Sequence, residues 1–143
     1  MTDTRTQLPS ALASALARVG DRWTLLMIAA LLEGPHRFNE LQVAVPGLAS
    51  NVASQRLKAL VRNGIVVSRP YTQRPLRLSY DLSASGRELA GALRLLAAWG
   101  AGSSSDIEAP RHLTCGSMLE ISWHCPTCRR VVEDPHAEEL RYA

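Results

Sequence analysis

The sequence predicts a mainly α fold with one small β-hairpin (α+β class), followed by a short Cys-rich tail. Three observations predict it. Apolar residues recur at helical spacing through the first sixty residues and again from Leu89 to Trp99; between these stretches Leu76, Leu78, Tyr80 and Leu82 alternate with Arg77, Ser79 and Asp81; and all three cysteines lie beyond Pro110. With 143 residues, 46% hydrophobic and 20% charged, the chain has length for one core and a small appendage.

Leu8, Leu12, Leu16 and Val19 mark a first helix over residues 9–18, with alanines between them that favour helix, and Gly20 ends it. Asp21 or Thr24 is expected to cap a second helix running to about Leu32. It is apolar on nearly every face, as suits the centre of a core, and Gly34-Pro35 stops it. The longest unbroken apolar run, residues 25–32, falls far short of the roughly 18 residues of a membrane span. Residues 1–7 are polar rather than leader-like, so a cytoplasmic, nucleoid-associated protein with no membrane partner is expected. Asn39 should cap a short helix over residues 40–45, with Phe38 and Leu41 facing inward. Pro46-Gly47 then turns tightly to Ser50, the expected cap of a helix over residues 50–64. A hairpin follows, pairing residues 65–71 with 76–82 around Thr72-Gln73-Arg74-Pro75. Ser83 or Ser85 should cap one long helix to Trp99, striped by Leu89, Leu93, Leu96 and Trp99; this stripe and the first helix are expected to pack on a second copy of the chain.

Two short helices, the second amphipathic and basic, followed by a hairpin, make the order of a winged helix-turn-helix. Residues 46–80 hold six basic side chains and no acid. On a helical projection Ala53, Leu57, Leu60 and Val61 fall on one arc, and Asn51, Ser54, Gln55, Lys58 and Arg62 on the opposite one. Asn, Gln and Arg are the types that read base edges, and Lys, Arg and Ser hold phosphates. The candidate DNA-contacting residues are therefore Ser50 at the helix start, Asn51, Ser54, Gln55 and Lys58 in the major groove, Arg56 and Arg62 at its edges, and Arg74 and Arg77 on the wing. Net charge is only +3, but residues 1–110 hold 12 of the 16 basic side chains against 8 of the 13 acidic ones. The polyanion-facing surface thus belongs to the first segment.

Arg18-Val19-Gly20-Asp21-Arg22-Trp23-Thr24-Leu25-Leu26, Leu31-Leu32-Glu33-Gly34-Pro35-His36-Arg37-Phe38-Asn39-Glu40-Leu41 and Ser54-Gln55-Arg56-Leu57-Lys58-Ala59-Leu60 closely resemble the HxlR-type family of MarR-like winged-helix transcription regulators. The resemblance runs over about residues 8–100. It implies a homodimeric DNA-binding regulator whose recognition helix matches residues 50–63 and whose wing matches residues 71–76. Many members carry a redox-sensing Cys just before a Pro near the N-terminus; here Leu8 precedes Pro9, so thiol sensing at that place is unavailable.

Residues 101–110, rich in Gly, Ser and Asp, read as a linker between a DNA-binding and dimerisation domain (residues 1–100) and a Cys/His tail (residues 111–143). In the tail His112-x2-Cys115 precedes Cys125-Pro126-Thr127-Cys128, a zinc-ribbon-like spacing for a structural zinc held by His112, Cys115, Cys125 and Cys128. His124 and His136 are alternative fourth ligands, and Arg129 stands where such knuckles usually place Gly.

The leading expectation is a sequence-specific transcriptional regulator binding a two-fold operator as a homodimer. The alternative is a winged-helix protein-protein interaction module with a metal-stabilised tail. An enzyme is not expected, because Glu120, His124 and Cys125 are crowded on one short segment with no phosphate-cradling Gly loop. A small-molecule effector has one place suggested by the sequence, between dimer helices near Trp23 and Trp99, although plain core packing is the leading reading of both residues.

Overall fold

The computed structural model describes residues 10–102 and 106–132. Leu8, Pro9, His136 and residues 103–105 of the expected linker lie outside the described residues. Helix α1 (Ala11–Val19) opens on Ser10, whose Oγ accepts the Ala13 N–H at 3.0 Å. Helix α2 (Arg22–Leu32) is capped by Asp21, which accepts hydrogen bonds from the Trp23 and Thr24 backbone N–H groups and the Thr24 hydroxyl. Strand β1 (His36–Arg37) leads directly into α3 (Phe38–Ala44), and α4 (Ser50–Arg62) follows the Pro46-Gly47 turn. The hairpin β2 (Val66–Gln73) and β3 (Leu76–Leu82) precedes α5 (Ala84–Arg87) and α6 (Ala90–Ala101).

Residues Ala15–Leu96 form one compact unit; the described parts of the chain before Ala15 and after Leu96 form a second. The first unit is built on α2. Met27, Ile28 and Leu31 are fully buried there, each worth about 1.5–3 kcal/mol of transfer free energy, and they share a core with Leu41, Ala53, Leu57, Leu60, Val66 and Leu82. The expectation of an all-round buried α2 is corrected in detail, since Leu26 and Ala29 face out. Among the described residues no helix is long and apolar enough to cross a membrane.

Several local expectations change, each for a hydrogen-bonding reason. Asn39 does not cap α3; the helix starts one residue earlier than that, and the Glu40 carboxylate accepts the Arg37 N–H at 2.7 Å. Ser50 is the first residue of α4 rather than its cap, which is Ala49, and the Ser50 Oγ instead accepts from Gln42 Nε2 at 2.8 Å. The sheet has three strands in the order β1-β3-β2, because His36 and Arg37 pair with Tyr80 and Ser79. A two-residue strand has no periodicity to betray it. In the hairpin the register slips between Pro70 and Thr72, leaving Tyr71 as the extra residue, and the Thr72 hydroxyl donates to the Pro75 carbonyl at 2.6 Å to close the tip.

The long helix expected after the hairpin is broken into α5 and α6. Ser83 caps α5 by accepting the Gly86 N–H at 3.0 Å, and its hydroxyl donates to the Gly64 carbonyl at 2.6 Å. At the end of α5 the Leu89 N–H bonds to the Gly86 carbonyl three residues back, a tighter turn than α-helix allows. Gly86 is required here, since a Cβ would lie 2.3 Å from the Ile65 carbonyl oxygen. The Leu89–Trp99 stripe is correspondingly divided: Leu89 and Leu93 pack on the core, whereas Leu96 and Trp99 are 52% and 77% exposed.

One tie joins the start of α2 to α4. Arg56 Nε lies 2.9 Å from Asp21 Oδ2, off the N–H direction, so the contact is an ion pair rather than a hydrogen bond. Partial burial pushes the Asp21 carboxyl up, but the hydrogen bonds from Thr24 and Trp23 and the charge of Arg56 outweigh it and hold the group below its ordinary value.

Two pairs of measurements check this architecture. Gly86→Ala is expected to cost about 1–3 kcal/mol by forcing a methyl against backbone. Gly91→Ala in α6, where an added methyl meets nothing within 4 Å, should be neutral or stabilise by up to about 1 kcal/mol through helix propensity; urea midpoints separate the two. Asp21→Ala should cost about 1–2 kcal/mol at neutral pH. Because the folded carboxyl titrates below its unfolded value of about 3.9, that contribution is complete above the unfolded pKa and is lost as pH falls through the folded one. Denaturation midpoints of wild type and variant should therefore converge in acid.

Candidate nucleic-acid interface

Helix α4 buries Ala53, Leu57 and Leu60, and the residues between them are thereby turned out. Asn51, Gln55, Lys58 and Arg62 are exposed and lie at steps of four, three and four, a single stripe on an α-helix. Ser50 is exposed at the helix start, while Ser54 is half-buried at the stripe's edge. Val61, expected inward, is 37% exposed. Arg56 points off the stripe toward Asp21, a commitment that the sequence reading did not foresee.

The presentation of this helix is set by the turn before it. Gly47 adopts φ 85°, where a Cβ would be strained, and that lets the chain reverse beside the Trp23 ring. Gln42 Nε2 spans the turn, donating to the Leu48 carbonyl at 3.4 Å as well as to Ser50. At the far end the Arg18 guanidinium donates to the Asn63 carbonyl at 3.0 Å, satisfying a helix-terminal acceptor.

On the wing Arg69, Arg74 and Arg77 are exposed. Lys58, Arg62 and these three arginines make no ion pair with a described residue, whereas the nearby acids are engaged: Asp21 with Arg56, Glu40 with Arg37 and Asp81 with Arg87. The positive charge is therefore not cancelled locally. Sequence reasoning missed two contributors. Arg37 lies outside the acid-free tract, yet β1 carries it to the wing, where its guanidinium sits 4.4 Å from the centre of the Tyr71 ring. Arg69 lay inside the tract but was not singled out; its place among the six basic residues of the acid-free tract was the available signal.

Between α4 and the wing lies a cleft of about 410 Å³, with Phe38, Leu57, Val61, Leu78 and Tyr80 as its apolar wall and Ser54, Lys58 and Arg62 at its rim. Burial pushes the Tyr80 phenol up, so it stays protonated. Of the two residues suggested for an effector, Trp23 is half-buried against the core with the Arg22 guanidinium 4.4 Å from its ring centre, and Trp99 stands on the exposed side of α6.

In the tail the predicted ligands form two pairs. His112 Nδ1 lies 3.2 Å from Cys115 Sγ, and the Cys128 N–H donates to Cys125 Sγ at 3.5 Å. Hydrogen bonds from the Ser117 side chain and backbone, then from His112, bring the Cys115 thiol down to about 7; those from Cys128 lower Cys125. Strands β4 (Trp123–Cys125) and β5 (Arg130–Val132) close the second pair into a hairpin.

The comparison with known proteins agrees with this geometry. A family model described as HxlR-like helix-turn-helix matches residues 18–107. The chain is 36% identical over 131 residues to the uncharacterized HTH-type transcriptional regulator Rv3095 of Mycobacterium tuberculosis (strain ATCC 25618 / H37Rv), covering 85% of this chain and 82% of that relative. It is 33% identical over 86 residues to the HTH-type transcriptional regulator YodB of Bacillus subtilis (strain 168), covering 60% and 77%. Among solved structures, the redox regulator HypR in its reduced form superposes with a TM-score of 0.62 at 26% identity, covering 66% of this chain and 93% of HypR. A recognition-type helix, a basic wing and a family match spanning both place the chain in one family: it belongs to the HxlR-like helix-turn-helix family.

Proposed function

We propose that this chain is a transcriptional regulator that binds a two-fold DNA operator as a homodimer. The observation that carries the reading is the exposed stripe of Asn51, Gln55, Lys58 and Arg62, continued by uncompensated arginines on the wing. The names of Rv3095 and YodB, both HTH-type transcriptional regulators, support the same role. Asn51, Ser54, Gln55 and Lys58 enter the major groove, with amide side chains suited to adenine and the ammonium to guanine or phosphate. Arg62 holds phosphate at the groove edge, and Arg74 and Arg77 reach backbone or minor groove from the wing. Arg56 serves instead to brace the helix through Asp21.

Dimerisation is supported by apolar surface that water would otherwise meet. Leu12 and Leu16 on α1 are 67% and 53% exposed, and on α6 Leu96 and Trp99 are more than half exposed. A second copy covering these faces sets two recognition helices in successive major grooves, about 34 Å apart.

With an operator selected from a random-sequence library, Gln55→Ala should weaken specific binding by about 1–3 kcal/mol while leaving random DNA unaffected. Equal loss on both would remove Gln55 from base reading. Arg74→Ala should weaken both and flatten the plot of log affinity against log salt by about 1. Fluorescence anisotropy at several salt concentrations reads both effects, and a footprint without two-fold symmetry would refute the dimeric mode. In sedimentation equilibrium Trp99→Asp should shift dimer to monomer and, with it, abolish tight operator binding.

A further inference from the structure

We propose that His112, Cys115, Cys125 and Cys128 bind one zinc ion that staples the tail. The two pairs sit on backbone turns of the same construction. In the first, the Gly116 N–H donates to the His112 carbonyl at 2.7 Å; in the second, the Arg129 N–H donates to the Cys125 carbonyl at 2.8 Å. The residue after each second ligand is left-handed: Gly116 at φ 72° and Arg129 at φ 54°. Arg129 is the one non-glycine residue with positive φ among the described residues, so the second turn takes the knuckle conformation in spite of its side chain. The departure noted in the sequence is thus absorbed by the backbone. Each turn also lies at the tip of an antiparallel pairing, Arg111 with Met118 in the first and β4 with β5 in the second.

The side chains suit the metal. Tetrahedral zinc with sulfur at about 2.3 Å and nitrogen at about 2.0 Å separates the two ligand atoms by about 3.5 Å, close to the 3.2 Å between His112 Nδ1 and Cys115 Sγ. His112 is the fourth ligand rather than His124, because alternation along β4 sends His124 to the opposite face from Cys125. Three thiolates and a neutral imidazole leave the zinc complex with one negative charge, and Arg111, Arg129 and Arg130 lie within two residues of a ligand in the sequence. Four protein ligands leave no open position, so the site is structural.

The tail also needs such a link. None of the residues 106–132 is buried, and Leu113, Met118, Ile121 and Trp123 are all about half exposed or more. Strands of three residues without a core have no apolar source of order. Among the described residues no three metal-ligating side chains gather at one point: the two turns are half-sites, and the ion is what joins them.

Elemental analysis of the reduced full-length chain, expressed with zinc available, should find one zinc per chain, falling to none in Cys125→Ser and Cys128→Ser. Cobalt added to the metal-stripped chain should give thiolate charge-transfer and tetrahedral ligand-field absorption. His112→Ala should lose the tetrahedral spectrum, His112→Cys should restore it with an all-sulfur shift, and His124→Ala should leave it unchanged. A reduced chain that binds neither metal, zinc retained in the cysteine variants, or a metal-free chain isolated with a Cys125–Cys128 disulfide overturns the proposal. Loss of the spectrum in His124→Ala overturns the choice of ligands.

Discussion

Helix α4 has to satisfy two surfaces at once, and the rest of the Ala15–Leu96 unit follows from that. Its inner face of Ala53, Leu57 and Leu60 is buried with the fully enclosed Met27, Ile28 and Leu31 of α2. A side chain packed at crystal-like density cannot rotate without opening a cavity. The inner face therefore locks the rotation of the helix about its axis, and that rotation alone decides which residues form the outer stripe. Asn51, Gln55, Lys58 and Arg62 are displayed together because three apolar neighbours are not free to move.

Polar contacts then set the remaining degrees of freedom. Asp21 meets the α2 backbone and the α4 guanidinium with the same carboxylate, so the start of one helix is registered against the side of the next. Gln42 bridges the turn into α4, and Arg18 meets the carbonyl at its end. The wing is held in a comparable way. Pairing of β1 with β3 anchors its root, and the Arg37–Tyr71 stack lies where the register slips. The basic residues are left without acid partners because the acids nearby already serve these structural ties.

The broken helix after the wing separates two jobs. Leu89 and Leu93 complete the monomer core, while Leu96 and Trp99 remain outside it. A tight turn at Gly86–Leu89 interrupts the helix before α6 begins. Gly86 makes this feasible, since only a residue without a Cβ can approach the Ile65 carbonyl so closely.

Much of this was legible in the chain itself. Helical spacing located α1, α2 and α4, alternation located the hairpin, and the acid-free tract marked the outer face of α4, because burial periodicity and charge are properties of residue order. The spacing of the His112/Cys115 and Cys125/Cys128 pairs in the tail was equally visible. Tertiary structure decided what residue order does not encode: that Arg56 Nε pairs with Asp21, that His36 and Arg37 become a strand, that Ser83 and Gly86 break a helix its propensities would have continued, and that Arg129 adopts a glycine-like backbone. The first three depend on a partner distant in sequence, a carboxylate, a strand edge or a carbonyl, whose position exists only once the chain has folded; Arg129 instead closes its own turn on the Cys125 carbonyl.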